Sequence, residues 1–371
     1  MENKNKDINK DINKDINKDI NKDINKDINK DINKDINKDI NKDINDQIIF
    51  DHKLIKIINI NSLVMSGGGM KGYLYLGAIK LFAEYGILSR IKYYYGTSIG
   101  GIIITCLILG WTIDETLKFC IGFPIGCIIE FDIDTFIENY GLVPKVNFET
   151  LFKKIITFKG FDENITFGQL YELTGKELHL ITYSLKENIT IDLNYETMPD
   201  LRIWEGLYMT SALPVLIPPY EYKNDLFIDG GIFENFPINR VKKENINKTI
   251  GICADSYKSN WSNLKDKISN KDIVNYLEYS LELIKIMFTK TIKYNCSNYV
   301  KLYFNSSVGG PSTSVNFTID PDTKNKIISC GYDQAKLQIP AILQNIFNEQ
   351  ISEYKFVYHN KKINGSKYNE I

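Results

Sequence analysis

An apolar run that breaks into Ser66-Gly67-Gly68-Gly69-Met70-Lys71-Gly72 and then resumes with a helical period constrains this chain more than any other feature. Leu54 to Met65 reads as a strand, and Met70 to Tyr85 as a helix with Leu74, Ala78, Leu81 and Phe82 along it. The alternation continues downstream. Ile91 to Tyr95, Glu177 to Leu185, Ile189 to Leu193, Asp225 to Asp229, Thr249 to Ala254 and Tyr299 to Phe304 have strand character. Helices are predicted over Thr112 to Gly122, where Thr112 and Glu115 have capping-box spacing, over Leu201 to Ala212 and over Ile273 to Lys293. Strands alternating with helices imply an α/β fold with a mainly parallel central sheet, beginning near Ile48.

Ahead of this region the tetrapeptide Asn-Lys-Asp-Ile repeats ten times, from Asn5 to Ile44. In a helix, isoleucines four residues apart drift about 40° per repeat, so their stripe winds around the axis. Asn and Asp also compete for backbone hydrogen bonds and weaken an isolated helix. Residues 1–47 are therefore expected to form a low-complexity, disordered tail, with a partner-induced helix or a specific adaptor as alternatives. The remaining residues suffice for one large core, since 43% of the chain is hydrophobic. A net charge of −1 provides no basic field to attract phosphates, which excludes nucleic acid as a partner. The six cysteines are scattered, without C-x-x-C spacing, and no basic-then-apolar leader precedes them. They read as reduced thiols, and the chain as cytoplasmic and not secreted.

Gly96-Thr97-Ser98-Ile99-Gly100 fits G-x-S-x-G where a β-rich run gives way to an apolar helical run. That is the setting of a nucleophile elbow, in which small flanking residues let a sharp turn thrust the serine hydroxyl outward. The pattern arises by chance in roughly one chain of this length in ten, so a plain glycine turn with a surface serine is the competing reading. A membrane span is another, because the 21 residues from Tyr93 to Ile113 carry no charge. Their first half holds Gly96, Thr97, Ser98, Gly100, Gly101 and Thr105, which favours a buried helix behind the serine.

The glycines at 67, 68, 69 and 72 open a helix after a strand, placing unobstructed N–H groups at a positive helix end where an anionic oxygen can sit. The same residues satisfy G-x-G-x-x-G, the dinucleotide fingerprint. That motif needs an acidic residue at the end of the next strand, which here runs into Tyr95-Gly96-Thr97-Ser98. At the end of the Asp225 to Ile228 run, Asp229-Gly230-Gly231 allows a tight turn that faces the carboxylate toward the edge bearing Ser98; an ordinary Asp-Gly turn is the bland alternative. Of the three histidines, His52 precedes the first strand, His179 lies within one, and His359 is near the C-terminus. The order Ser98, Asp229, His359 matches an α/β-hydrolase triad, while burial can make Asp229 a sufficient base by itself. No metal-ligand spacing such as H-E-x-x-H occurs.

Together SGGGMKG, GTSIGG and DGGIFENFP, in that order and with Ser211-Ala212-Leu213-Pro214 and Pro218-Pro219 ahead of the last, resemble the patatin-like phospholipases over roughly Ser62 to Val241. Asn235 and Pro237 also fit. The resemblance implies a three-layer α/β/α domain and calcium-independent hydrolysis of phospholipid or other acyl-ester lipids in lipid catabolism, at a peripheral membrane surface and without a cofactor. It implies Ser98 as nucleophile, Asp229 as proton acceptor and Gly67, Gly68 and Gly69 as the oxyanion loop. Lys71, Gly72, Gly96, Gly100, Gly230 and Gly231 would support the motifs, and no metal is implied. The catalytic core is expected over residues 48–245, and residues 246–371 as its continuation in the same domain. The alternatives are a catalytically silent lipid-binding or scaffold protein, the His359 triad, and transfer of the acyl group to an alcohol instead of water. The lipid head group and the oligomeric state are not legible.

Overall fold

The computed structural model describes residues 55–127, 138–255, 298–303 and 319–366. The repeat tail, His52, Leu54, the predicted helix over Ile273 to Lys293, Cys296 and Phe304 lie outside the described residues. The described residues fall into two compact units, one spanning 60–342 and one made of 55–59 with 343–366.

The larger unit is built on an eight-stranded sheet with strand order β5-β6-β3-β2-β1-β7-β8, and β4 also pairs with β3. The strands are β1 (Ser62–Met65), β2 (Tyr93–Thr97), β3 (Glu177–Ser184), β4 (Ile189–Leu193), β5 (Tyr220–Tyr222), β6 (Asp225–Asp229), β7 (Thr249–Asp255) and β8 (Tyr299–Tyr303). All four residues of β1 are buried, as in a strand covered on both faces. The expected parallel character holds for the β3-β2-β1-β7-β8 stretch. It fails at the other end, where β4 and β6 run antiparallel to β3 and β5 runs antiparallel to β6, so the sheet is mixed. For β4 against β3 and β5 against β6 the reason is connection length. The loops Leu185–Asn188 and Lys223–Asn224 are too short for a crossover, and Lys223 and Asn224 both hold positive φ (50° and 61°), the geometry of a two-residue hairpin turn.

The helices are α1 (Gly72–Glu84), α2 (Ile99–Ile108), α3 (Ile113–Gly122), α4 (Lys145–Thr157), α5 (Phe167–Thr174), α6 (Ile203–Ser211) and α7 (Pro321–Ser366). The capping box predicted for α3 is formed, with Glu115 N–H on Thr112 Oγ1 at 3.2 Å and Thr112 N–H on the Glu115 carboxylate at 2.7 Å. α2 packs on β1, β2 and β3, α6 on β3 and β6, and α1 on β7 and β8. Buried Phe82, Tyr94, Tyr95, Phe152, Phe167, Tyr208 and Phe236 fill the core. The uncharged stretch from Tyr93 to Ile113 divides into β2 and the ten-residue α2, and no helix among the described residues is long and apolar enough to cross a membrane. In the smaller unit, the Gln350 amide bridges both backbone groups of Asn59 at 3.0 and 2.7 Å.

Register decides what shares the sheet edge. Met65 pairs with Gly96, Thr97 with Ile181, and Thr182 with Asp229. The turns carrying Gly67, Ser98 and Asp229 therefore leave the sheet at one level, at the carboxyl ends of β1, β2 and β6.

Candidate active site

Ser98 joins β2 to α2 with φ 52° and ψ −126°, a left-handed conformation that a side chain rarely adopts and that only surrounding contacts can hold. One such contact is its own N–H, which donates to Thr210 Oγ1 at 2.9 Å, while the Thr210 hydroxyl donates to the Ile181 carbonyl at 2.5 Å. Close approach explains the flanking glycines. A Cβ on Gly96 would stand 2.7 Å from the backbone N of Gly101, and one on Gly100 would stand 2.5 Å from the Ser66 carbonyl oxygen.

Asp229 ends β6 and is 2% exposed. Its carboxylate accepts the Gly231 N–H at 2.7 Å, and register sets it beside Ser98, since Thr97 pairs with Ile181 and Asp229 with Thr182 along β3. Burial pushes its pKa up to about 7, against the opposing pull of the Gly231 N–H and the neighbouring Ser98 hydroxyl. Gly230 is required by contact, since a Cβ there would lie 2.4 Å from the Ile181 carbonyl oxygen. The structure thus brings Ser98 and Asp229 together, as the motifs implied.

The glycine loop lies on the other side of Ser98. A Cβ on Gly67 would meet Asn235 Oδ1 at 2.5 Å and Ser98 Cβ at 3.2 Å, and one on Gly72 would meet Ile99 Cγ1 at 2.4 Å. Gly69 and Lys71 belong to a short 3₁₀ turn, Gly69–Lys71, entered with φ 55° at Gly69; the Lys71 N–H closes on the Gly68 carbonyl at 3.1 Å. The expectation that all three glycines 67, 68 and 69 offer N–H donors needs correction. The Gly67 N–H donates to the Asn235 carbonyl at 3.0 Å and is engaged within the fold. Among the described residues, the N–H groups of Gly68 and Gly69 donate to no protein group.

Sequence reasoning missed several residues here. Thr210 precedes the Ser-Ala-Leu-Pro segment, and Asp229 N–H bonds to the Ala212 carbonyl of that segment at 2.9 Å, but no sequence pattern marks the Thr210 hydroxyl itself. The Thr97 hydroxyl donates to the Glu234 carbonyl at 3.1 Å, tying the serine strand to the turn after Asp229. Glu234 is in turn gripped by Arg240, with Nε at 2.9 and 3.0 Å from its two carboxylate oxygens.

His179 serves another purpose. It is 4% exposed, stacks on Tyr95 at 4.2 Å, and places Nδ1 3.0 Å from both Asp192 oxygens. Burial pulls its pKa down, but Asp192 and Glu177 outweigh that and hold it above the ordinary histidine value. His359 lies on the part of α7 that belongs to the smaller unit. Among the described residues no group of three His, Cys, Asp or Glu is arranged to hold a metal ion.

Comparison with known proteins supports the motif reading. The model of the patatin-like phospholipase family matches residues 63–241, a span that starts in β1 and includes Ser98, Asp229, Asn235 and Arg240. Protein R571 of Acanthamoeba polyphaga mimivirus is 28% identical over 299 residues, covering 79% of this chain and 98% of that protein. "Probable lipid hydrolase 463L" of Invertebrate iridescent virus 6 is 32% identical over 235 residues, covering 57% of this chain and 77% of that protein. VipD from Legionella pneumophila, a solved structure, shares the fold with a TM-score of 0.52 at 17% identity, over 76% of this chain and 67% of that one. With a mixed, mostly parallel α/β sheet, the glycine, serine and aspartate turns at one edge of it, and a relative of this identity and coverage, the chain belongs to the patatin-like phospholipase family.

Proposed function

We propose that the protein hydrolyses acyl esters of phospholipids or related lipids presented at a membrane surface, using Ser98 as nucleophile and Asp229 as its base. One observation carries the reading: the strained Ser98 is set by register beside a buried carboxylate whose pKa stands near 7. A carboxylate of ordinary acidity is a weak base toward a hydroxyl. Burial brings Asp229 close to working pH, so it can take the Ser98 proton as the C–O bond forms. The acyl carbonyl then becomes a tetrahedral oxyanion, for which Gly68 and Gly69 supply N–H donors at the start of the 3₁₀ turn. Collapse expels the alcohol, which takes the proton from Asp229. Water, deprotonated by the same carboxylate, then releases the fatty acid.

The test is hydrolysis of p-nitrophenyl butyrate and of phosphatidylcholine vesicles, in chelator, by the wild type, Ser98→Ala and Asp229→Asn. Wild-type turnover that both substitutions abolish supports the dyad. Turnover that survives Ser98→Ala sinks it, and a wild type that binds vesicles without turnover favours a silent lipid-binding protein.

A further inference from the structure

The Gly67 carbonyl points into a set of buried polar groups. Tyr75 Oη, on the fully buried Tyr75 side chain of α1, donates to it at 2.8 Å. Ser66 Oγ lies 2.7 Å from Tyr75 Oη and 3.1 Å from the same carbonyl, and accepts the Ala254 N–H of β7 at 3.3 Å. Asn235 Nδ2 approaches the carbonyl from a third direction at 3.4 Å. Each hydroxyl has one proton to give. The shortest contacts thus read as a relay from Ala254 N–H to Ser66, from Ser66 to Tyr75, and from Tyr75 to the Gly67 carbonyl, in which each bond polarises the next.

A planar trans peptide sets its C=O and the following N–H antiparallel. Holding the Gly67 carbonyl against Tyr75 and Ser66 therefore turns the Gly68 N–H the opposite way. Gly67 borders Ser98, so a Gly68 N–H held in that direction is available to the acyl oxygen of an ester attacked by Ser98. Glycine at 67 and 68 makes the plane easy to rotate, and a flipped peptide would present a carbonyl oxygen to the oxyanion. The side-chain-free Gly68 is also what admits Tyr75, since a Cβ there would stand 2.7 Å from Tyr75 Oη.

We propose that Tyr75 is a positioning residue: through the Ser66–Tyr75–Gly67 relay it locks the Gly67–Gly68 peptide so that the Gly68 N–H is a preset oxyanion donor. The inference rests on the Ser98 reading given above. Tyr75→Phe removes the hydroxyl and keeps the ring in the core. With p-nitrophenyl butyrate and the full chain, its kcat should fall about tenfold or more, a fraction of what complete loss of an oxyanion donor causes. KM should stay within about twofold, as for an interaction that strengthens in the transition state. An alkyl trifluoromethyl ketone, which forms an oxyanion adduct with a serine, should lose affinity by the same factor as kcat, while the matching alcohol should bind as before.

A folded Tyr75→Phe protein with wild-type kcat would overturn the proposal. So would equal losses for ketone and alcohol, which would mark general damage to the site. If Tyr75→Phe does not fold, Ser66→Ala carries the same test with the same outcomes. Ser98→Ala separates the two levels: turnover that survives it overturns the function itself, whereas an inactive Ser98→Ala beside a normal Tyr75→Phe overturns the relay alone.

Discussion

At the scale of single residues, Asp229 sets activity and stability against each other. In the proposed mechanism its carboxylate must be ionised to accept the Ser98 proton, so kcat/KM on a soluble ester should fall about tenfold per pH unit below roughly pH 7. A profile flat from pH 7 to pH 5 would remove Asp229 from the base role. The folded protein holds this proton more tightly than the unfolded chain, where the carboxyl titrates near 3.8. Stability is therefore lost as pH rises from about 4 to about 7, and the whole penalty is present above that. Asp229→Asn should remove it, raising stability above pH 7 by up to about 4 kcal/mol, at 1.36 kcal/mol per unit, less any loss of its bond to Gly231. The gain should vanish toward pH 4 in denaturant titrations of both proteins. These two residues were legible in sequence because the turns that display them need glycine for steric reasons, as Gly96, Gly100 and Gly230 show by contact. Thr210 and Tyr75 were not. Each looks like an ordinary residue of an apolar helix, and only contacts from distant strands reveal what its hydroxyl holds.

At the scale of elements, the clearest constraint is the crossing of α1 and α7. A Cβ on Gly331 would lie 2.1 Å from the Leu74 carbonyl oxygen, and one on Gly77 would lie 2.1 Å from the Ile328 carbonyl oxygen, so the backbones touch where both helices lack side chains. Gly331→Ala has no flexible neighbour to displace and should cost about 3 kcal/mol or more. Gly122→Ala at the end of α3, with nothing within 4 Å of the new methyl, should stay within about 0.5 kcal/mol. Equal thermal unfolding of the two variants would refute the crossing. α3 depends on α7 in another way. The Lys324 ammonium donates to the carbonyls of Cys120, Ile121 and Phe123 at 3.2, 3.0 and 2.9 Å, placing a cation at the carbonyl end of that helix. Lys324→Met should destabilise the protein by about 2 kcal/mol and raise amide exchange in the last turn of α3 first, while ester turnover by the folded protein is unchanged. Sequence periodicity found α3 because its cap is local. It missed α4, α5 and β5, whose apolar residues make sense only against α6 and the antiparallel end of the sheet.

At the scale of the whole molecule, every residue assigned to the site lies between 60 and 342, in one compact unit. The pieces arrive from Gly67, Ser98, Thr210, Asp229 and Asn235, and the parallel pairing of β1, β2 and β3 together with the antiparallel pairing of β6 on β3 levels the Gly67, Ser98 and Asp229 turns, so register and site are specified together. That long-range assembly was foreseeable only as an order of motifs along the chain. The Asn-Lys-Asp-Ile repeat supplies no site residue, and its charges cancel. Removing residues 1–44 should therefore leave kcat/KM for p-nitrophenyl butyrate within about twofold of the full chain, because a soluble ester needs only the dyad and the glycine loop. Vesicle hydrolysis is the discriminating companion. A loss confined to vesicles would assign the repeat to delivering the enzyme to a lipid surface, through an interaction that adds to encounter and not to chemistry. A loss on both substrates would mean that the repeat supports the catalytic unit itself, and the separation drawn between tail and site would fail.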